Sequence, residues 1–427
     1  MRRVIGLLSL ALAAVLAAAP LAHAQAPKDI VIGVIYPMSS SLAQIGIDSV
    51  TALKMATELY NSKSDLNLPS MRKTTDGLPG LGGAKLRLVV VDHQGKPDIG
   101  QAEAERLITQ EKAVALIGSV HSSVTATASQ VAERYGVPHM NGESSSPTLT
   151  ERGFKWFFRT SPHDGHFTLA MFEFLKDFEK KKGIKFKTVG IMNEDTLFGV
   201  DSAKVQEELA RRFGYEVAVK MAYRAKTTSL DAEVSKLKSA NPDVFLPTSY
   251  TSDAVLYVKT ARTLDYVPRI LIAQNAGWVD PQFVSEMNKD IEGHITRSPF
   301  ALDLQAKKPL IRQVNELFKK QKDNPGGRDI SEAPARALTA FTVLVDAINR
   351  AKSTNPEEIR KALAATTIPP DQLLMPWTGV TFDEKGQNSG VRAILQQIQK
   401  GAYATIWPFD LAAAEVIYPL PGYKEKK

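Results

Sequence analysis

Two clusters of hydroxyl side chains follow two neighbouring apolar runs. "IGSVHSSVTATASQ" (117–130) carries Ser122 and Ser123, and "NGESSSPTLT" (141–150) carries Ser144, Ser145 and Ser146. Serines in such places can cap helices, act as nucleophiles or donate hydrogen bonds to an anion. A nucleophile needs a base and a group to orient it, and no G-x-S-x-G elbow occurs. His121 adjoins Ser122, but consecutive side chains diverge on a helix or turn, so the pair is not a catalytic dyad. Capping is the ordinary use of a serine at a helix start. Two clusters at adjacent strand ends also suit a cradle for a carboxylate, because helix starts offer unpaired backbone N–H groups and the positive end of the helix dipole. "HDGH" (163–166) brings two histidines and an aspartate together, yet no cysteine or further acid cluster accompanies it, so a metal is not indicated. With no G-x-G-x-x-G or P-loop behind a strand, no nucleotide or other cofactor is expected.

The elements that would position these residues alternate in type. Strand-length apolar runs at 29–37, 84–93, 113–119 and 137–142 are separated by helical patterns near 47–61, 98–111 and 123–135. A second series, at 187–195, 215–223, 243–249 and 269–273, repeats the arrangement. Such alternation predicts βαβ units in two parallel-sheet lobes of α/β class, doubly wound, with ligands beyond the carboxyl ends of the strands. "FRTSPHD" (158–164) and "EGHITRSPF" (292–300) read as extended crossings between the lobes. Helices are expected over about 309–322 and 333–351 and from Pro356, with a strand-rich tail from Trp377. The Gly-, Pro- and Ser-rich stretch 61–85 reads as a long surface loop.

The first 24 residues combine two arginines, an apolar stretch and Ala22-His23-Ala24, the pattern of a cleaved secretory signal. The formal charge of +7 falls by two when Arg2 and Arg3 leave, a mild and scattered excess that excludes a nucleic-acid partner. The chain has no cysteine, which removes disulfides, thiol catalysis and a lipid-anchored cysteine alike. A free periplasmic protein of a Gram-negative cell is the expectation, large enough for two cores.

Over nearly its whole mature length the chain resembles the leucine/isoleucine/valine-type substrate-binding proteins of ABC transporters, which have the type I periplasmic binding fold. The resemblance is carried by the order and spacing of "IGVIYPMSSSLAQIGID", "DHQGKPDIGQAEAERLI", the two serine clusters, "FFRTSP", "NEDTLFGVDSAK", "SKLKSANPDVFLPTSY" and "GVTFDEKG". It implies no enzyme. It implies a monomer whose two lobes close on a small carboxylate or amino acid through a three-segment hinge and hand it to an ABC permease. The lobes would comprise 28–160 with 298–383, and 161–297 with 384–427.

By position, the resemblance puts ligand donors at Ser122 and Ser145, with His121, Glu143 and Ser144 beside them. Ser40 and Ile45 fall in the first loop, and Phe198 and Tyr250 form an aromatic wall from the second lobe. The acid that pairs with a ligand ammonium in this family falls on Asn275. Because an uncompensated buried ammonium is costly, either another acid substitutes, Glu143 or Asp253, or the ligand lacks an ammonium, as aromatic acids, other carboxylates and amides do. A ligand sensor for a membrane signalling partner is the competing reading.

Overall fold

The computed structural model describes residues 29–423, so the signal sequence read at 1–24 lies outside the described residues. The chain runs β1 (Asp29–Tyr36), α1 (Ala43–Asn61), β2 (Lys85–Asp92), α2 (Pro97–Thr109), β3 (Ala115–Gly118), α3 (Ser122–Tyr135), β4 (His139–Asn141), β5 (Phe157–Arg159) and α4 (Asp164–Lys182). It continues with β6 (Thr188–Glu194), α5 (Leu197–Arg212), β7 (Glu216–Tyr223), α6 (Asp231–Ala240), β8 (Val244–Thr248), α7 (Thr251–Thr263) and β9 (Ile270–Ala273). The remaining elements are α8 (Pro281–Met287), β10 (Ile295–Ser298), α9 (Pro309–Lys319), α10 (Glu332–Ala351), α11 (Pro356–Ala364), β11 (Ile394–Gln399) and β12 (Ala402–Trp407).

The strands form two sheets. One has the order β2-β1-β3-β4-β5 and is wholly parallel. The other has the order β12-β11-β10-β9-β8-β6-β7, parallel except for the last two strands of the chain. A parallel sheet needs helices on both faces, which is why runs such as "ILIA" at β9 are buried throughout. Each sheet with its helices is one α/β lobe, as the alternating sequence predicts.

The chain passes between the sheets after Arg159, after Ser298 and before Ile394. The first and third passages are stitched together. Arg159 Nε donates to Gln387 Oε1 at 2.7 Å, Gln387 Nε2 to the Ser161 carbonyl at 2.9 Å and Asn388 Nδ2 to the Thr160 carbonyl at 3.0 Å. In the second passage the stretch read as an extended crossing starts as β10, an inner strand of the second sheet.

Helix α10 is buried on every side from Glu332 to Ile348, the pattern of an internal helix. It corrects the reading of 61–85 as a surface loop. Leu66, Leu68, Met71, Leu78 and Leu81 in that stretch join the first lobe's core, and Gly80 N–H donates to Asn349 Oδ1 of α10 at 2.8 Å. The turn-forming residues mask an apolar set too sparse to show a period. The "HDGH" stretch caps α4: His163 accepts from Gly165 N–H at 2.9 Å, and its ring lies 3.9 Å from that of His166.

Candidate functional site

Ser122 opens α3 directly beyond β3, and Ser144–Ser146 occupy the loop beyond β4, so one sheet edge carries both clusters. The buried Arg159 guanidinium holds that loop by donating to the Ser146 carbonyl at 2.7 Å and the Ser144 carbonyl at 3.2 Å. Arg336 of α10 grips it from the other side, donating to the Gly142 carbonyl at 2.8 Å and the Glu143 carbonyl at 2.6 Å. Gly142 permits this approach, since a Cβ there would stand 2.8 Å from the Arg336 carbonyl oxygen.

A cavity of about 30 Å³ lies where the two lobes meet. Ile45, Ser122, Glu143 and Ser145 line it from the first lobe, and Phe198, Tyr250 and Asn275 from the second, so seven of the ten residues expected at a ligand site converge there. The volume is about that of one water, so a larger ligand enters only with the lobes parted. Contacts across the cleft hold it shut. Arg297 Nη2 donates to Ser145 Oγ at 3.2 Å, Asn275 Nδ2 to Glu332 Oε1 at 3.1 Å, Ser146 Oγ bonds Asp201, and the Tyr250 ring lies 4.8 Å from that of His121. Phe198 and Tyr250, expected as an aromatic wall, both line the cavity and pack together with ring centroids 5.4 Å apart.

Three expected residues stand outside the cavity lining. Ser40 is exposed on the loop before α1, and its Oγ accepts from Leu42 N–H at 3.4 Å. Ser144 is buried, but its hydroxyl is spent on Thr125 Oγ1 at 2.7 Å and on the Ser119 and Val120 carbonyls. The His121 ring is packed between His93 and Tyr250, and burial drives its pKa down to about 3, so it is neutral and presents no charge. Asp253, weighed as a substitute acid, is likewise absent from the lining; it accepts from Lys226 N–H at 3.1 Å.

Of the charged residues in the lining, Glu143 was singled out in the sequence, whereas Arg297, Glu332 and Arg336 were not. Arg297 on β10 is 1% exposed, with its guanidinium carbon 3.5 Å above the Phe167 ring. Nη2 also donates to Asp164 Oδ1 at 3.2 Å, while Nε and Nη1 have no hydrogen-bond partner. Burial lowers the Arg297 pKa to about 9 and raises that of Asp164, and each group's charge opposes the other's shift. Their proximity offsets part of what burial costs each charge. Glu332 and Arg336, four residues apart on α10, form a second buried pair at 2.8 Å. Glu143 is pushed up to about 7 by burial, against the pull of the Tyr36 hydroxyl, which donates to Oε1 at 2.6 Å; its Oε2 has no partner. A lone arginine in a strand of otherwise buried length, and a glutamate four residues before an arginine in an apolar helix, were the available signals.

A larger chamber of about 520 Å³ adjoins this cavity through two shared walls, Val279 and Glu332. It is lined by both lobes, largely by apolar side chains such as Pro281, Phe300, Leu302 and Tyr403.

The family model described as periplasmic binding protein matches residues 29–402. The Leu/Ile/Val-binding protein homolog 7 of Brucella suis biovar 1 (strain 1330) is 28% identical over 424 residues, covering 97% of this chain and 99% of that relative. Among solved structures, the leucine binding protein LivK of Thermotoga maritima superposes with a TM-score of 0.73 at 22% identity, over 89% of this chain and 99% of that one. A solute binding protein of an ABC transporter from R. palustris, in complex with benzoate, gives a TM-score of 0.73 at 16% identity, over 91% of this chain and 98% of that one. The two structural likenesses show the shared two-lobed fold, and the match of the family model along the length of both lobes shows the lineage: this chain belongs to the periplasmic binding protein family.

Proposed function

We propose that this protein is the solute-binding component of an ABC importer and takes a small amino acid of the branched-chain type between its lobes. The observation that carries the reading is the mixed polarity of the closed cavity. Donors for a carboxylate (Ser122, Ser145 and Arg297) stand in the same lining as two carboxyl groups, Glu143 and Glu332. A zwitterion answers both. Position 275, where the family has an acid, holds Asn275, but the Glu332 carboxylate lies 3.1 Å from its Nδ2. Helix α10 thus delivers from the first lobe the negative charge that the second lobe lacks. On this reading the signal 1–24 is removed and the mature protein acts in the periplasm as a monomer. Its hinge divides it into 28–160 with 298–383 and 161–297 with 384–427, and a membrane permease reads the closed state. The names of relatives, Leu/Ile/Val-binding and leucine binding, support the same class.

The benzoate bound by a protein of the same fold favours a second reading, a non-amino carboxylate. A thermal-shift and calorimetry screen of the mature protein separates the two. Ligand at 1,000 times its Kd adds about 4 kcal/mol to the folded state. The amino-acid reading expects leucine or valine to raise the midpoint and their 2-keto analogues to fail. A response to benzoate or keto acids alone would overturn it.

A further inference from the structure

We infer that Arg297 is a carboxylate-binding residue, so that the ligand's anion is held by both lobes at once: by the serine loops of the first and by a guanidinium projecting from β10 of the second. The inference rests on the reading that the cleft takes a carboxylate. Its own ground is separate: Nε and both protons of Nη1 point to no acceptor in a side chain that is 1% exposed and lines the cavity. Buried donors are ordinarily satisfied, and guanidinium protons more than most, because leaving them bare forfeits hydration without return. A cavity of about 30 Å³ has room for one water, too few acceptors for three such protons.

The surrounding groups prepare Arg297 for an incoming anion. Asp164 and Ser145 both accept from Nη2, and the Phe167 ring centroid lies 3.5 Å from the guanidinium carbon, so the group is held in place before a ligand arrives. The carboxylate of Asp164 is engaged by Ser202 Oγ at 2.7 Å and Gln274 Nε2 at 3.0 Å, which leaves it positioned and not free to swing onto Nη1. Facing charges select the anion. Arg336 adds to the positive field, whereas Glu332 and Glu143 in the same lining repel a dianion such as phosphate. A planar monoanion with a hydrogen-bond donor on its far side meets every one of these groups. Ser145 Oγ lies 3.2 Å from Nη2, so one carboxylate can touch the serine and the guanidinium together, and binding it draws the two lobes together.

The test uses calorimetry on the mature wild-type protein, R297Q and R297K, with three probes: leucine, leucinamide (its carboxylate made neutral) and 4-methylpentanoate (its ammonium removed). The expected result is that wild type discriminates leucine from leucinamide, and that R297Q weakens binding of the acid about 100-fold while leaving the amide within threefold. R297K should recover part of the loss, since it restores the charge without the fork. In wild type, the Arg297 Nε–H resonance should move downfield on adding leucine and not on adding leucinamide, a readout that needs no variant to fold. The inference is overturned if R297Q weakens acid and amide alike, which would mark the guanidinium as a strut between lobes, or if wild type takes leucinamide as tightly as leucine. Should wild type bind 4-methylpentanoate and refuse leucine, the amino-acid reading falls by itself, and the same comparison of wild type with R297Q on that acid decides Arg297.

Discussion

The two adjoining cavities differ in opposite senses. One is about 30 Å³, with Glu143, Arg297, Glu332 and Arg336 crowded around it; the other is about 520 Å³, with Asp48, Arg328, Asp329 and Glu332 spread around a much wider wall. Ranked by space, the larger would be the binding site. Ranked by unfinished chemistry, the smaller one is, because Arg297 Nε and Nη1 and Glu143 Oε2 are buried there without partners. In a protein that closes on its ligand, the volume left in the closed state reports how well the lobes fit each other. Unmatched polar groups report what the fit was built around.

The sharpest way to break this contrast is to remove one acid from the wall the cavities share and another from the outer wall of the larger one. Glu332 is 6% exposed and accepts from both Arg336 and Asn275, so Glu332→Ala strands a buried guanidinium and should cost about 3–5 kcal/mol of folding stability. Asp48, on the wall of the larger chamber, pairs at 2.6 Å with an Arg328 side chain that is 37% exposed. Asp48→Ala should cost about 1 kcal/mol, because water takes over part of the lost interaction. Urea denaturation checks both, and equal losses would remove the distinction.

Glu143 gives the contrast a pH dependence. Its pKa in the folded protein, about 7, lies above the ordinary carboxyl value of 4.5, so between those limits the folded state binds more protons than the unfolded one. Stability therefore falls as pH rises through that window, by about 3 kcal/mol once the carboxyl is fully ionised. Glu143→Gln should flatten this part of the profile. In the wild type at pH 6, binding an ammonium beside Glu143 should expel its proton. The calorimetric enthalpy of leucine binding then tracks the ionisation enthalpy of the buffer, and the dependence fades by pH 9. A non-amino acid bound beside Glu143 would expel none.

Adjacent serines sharpen the comparison on a smaller scale. Ser145 lines the cavity and Ser144 does not, although both are buried. Ser145→Ala should weaken ligand binding about tenfold, whereas Ser144→Ala should leave affinity within threefold and cost about 1 kcal/mol of stability through the hydroxyl bonds it loses. Reversed outcomes, read by calorimetry and urea denaturation, would exchange the two roles.

The lobes were legible in the sequence because parallel strands buried on both faces leave unbroken apolar runs, and the position of the serine clusters, beyond β3 and β4 at the cleft, followed from the same alternation. Arg297 was not legible as a site residue. It falls within "EGHITRSPF", which has the look of a connector, and only the pairing of β10 with β9 and β11 places it on an inner strand facing the other lobe. Glu332 was hidden differently. At the start of a helix an acid is ordinary, and its approach to Asn275, 57 positions away, is a property of the closed cleft alone. Position-by-position reading marked 275 as an asparagine, yet could not see that α10 brings the Glu332 carboxylate within 3.1 Å of its Nδ2. The stretch 61–85 was not legible because turn residues outnumber the six apolar side chains, Leu66, Leu68, Met71, Leu78, Leu81 and Ala84, that anchor it.

The smallest expected effect bears most directly on the larger chamber. Ala402 lines it from the exposed start of β12, where a bulky side chain can be added without disturbing a core. Ala402→Trp should fill part of that space and, on the proposed reading that the smaller cavity meets the ligand's charged ends, shift leucine affinity by less than threefold, since the chamber lies beyond the Val279 and Glu332 walls. Loss of binding in this variant, with an unchanged unfolding midpoint, would mean that the body of the ligand passes those walls. The ligand would then be longer than a branched-chain amino acid, its carboxylate end in the small cavity and its apolar end in the large one, and the two cavities would be halves of a single site.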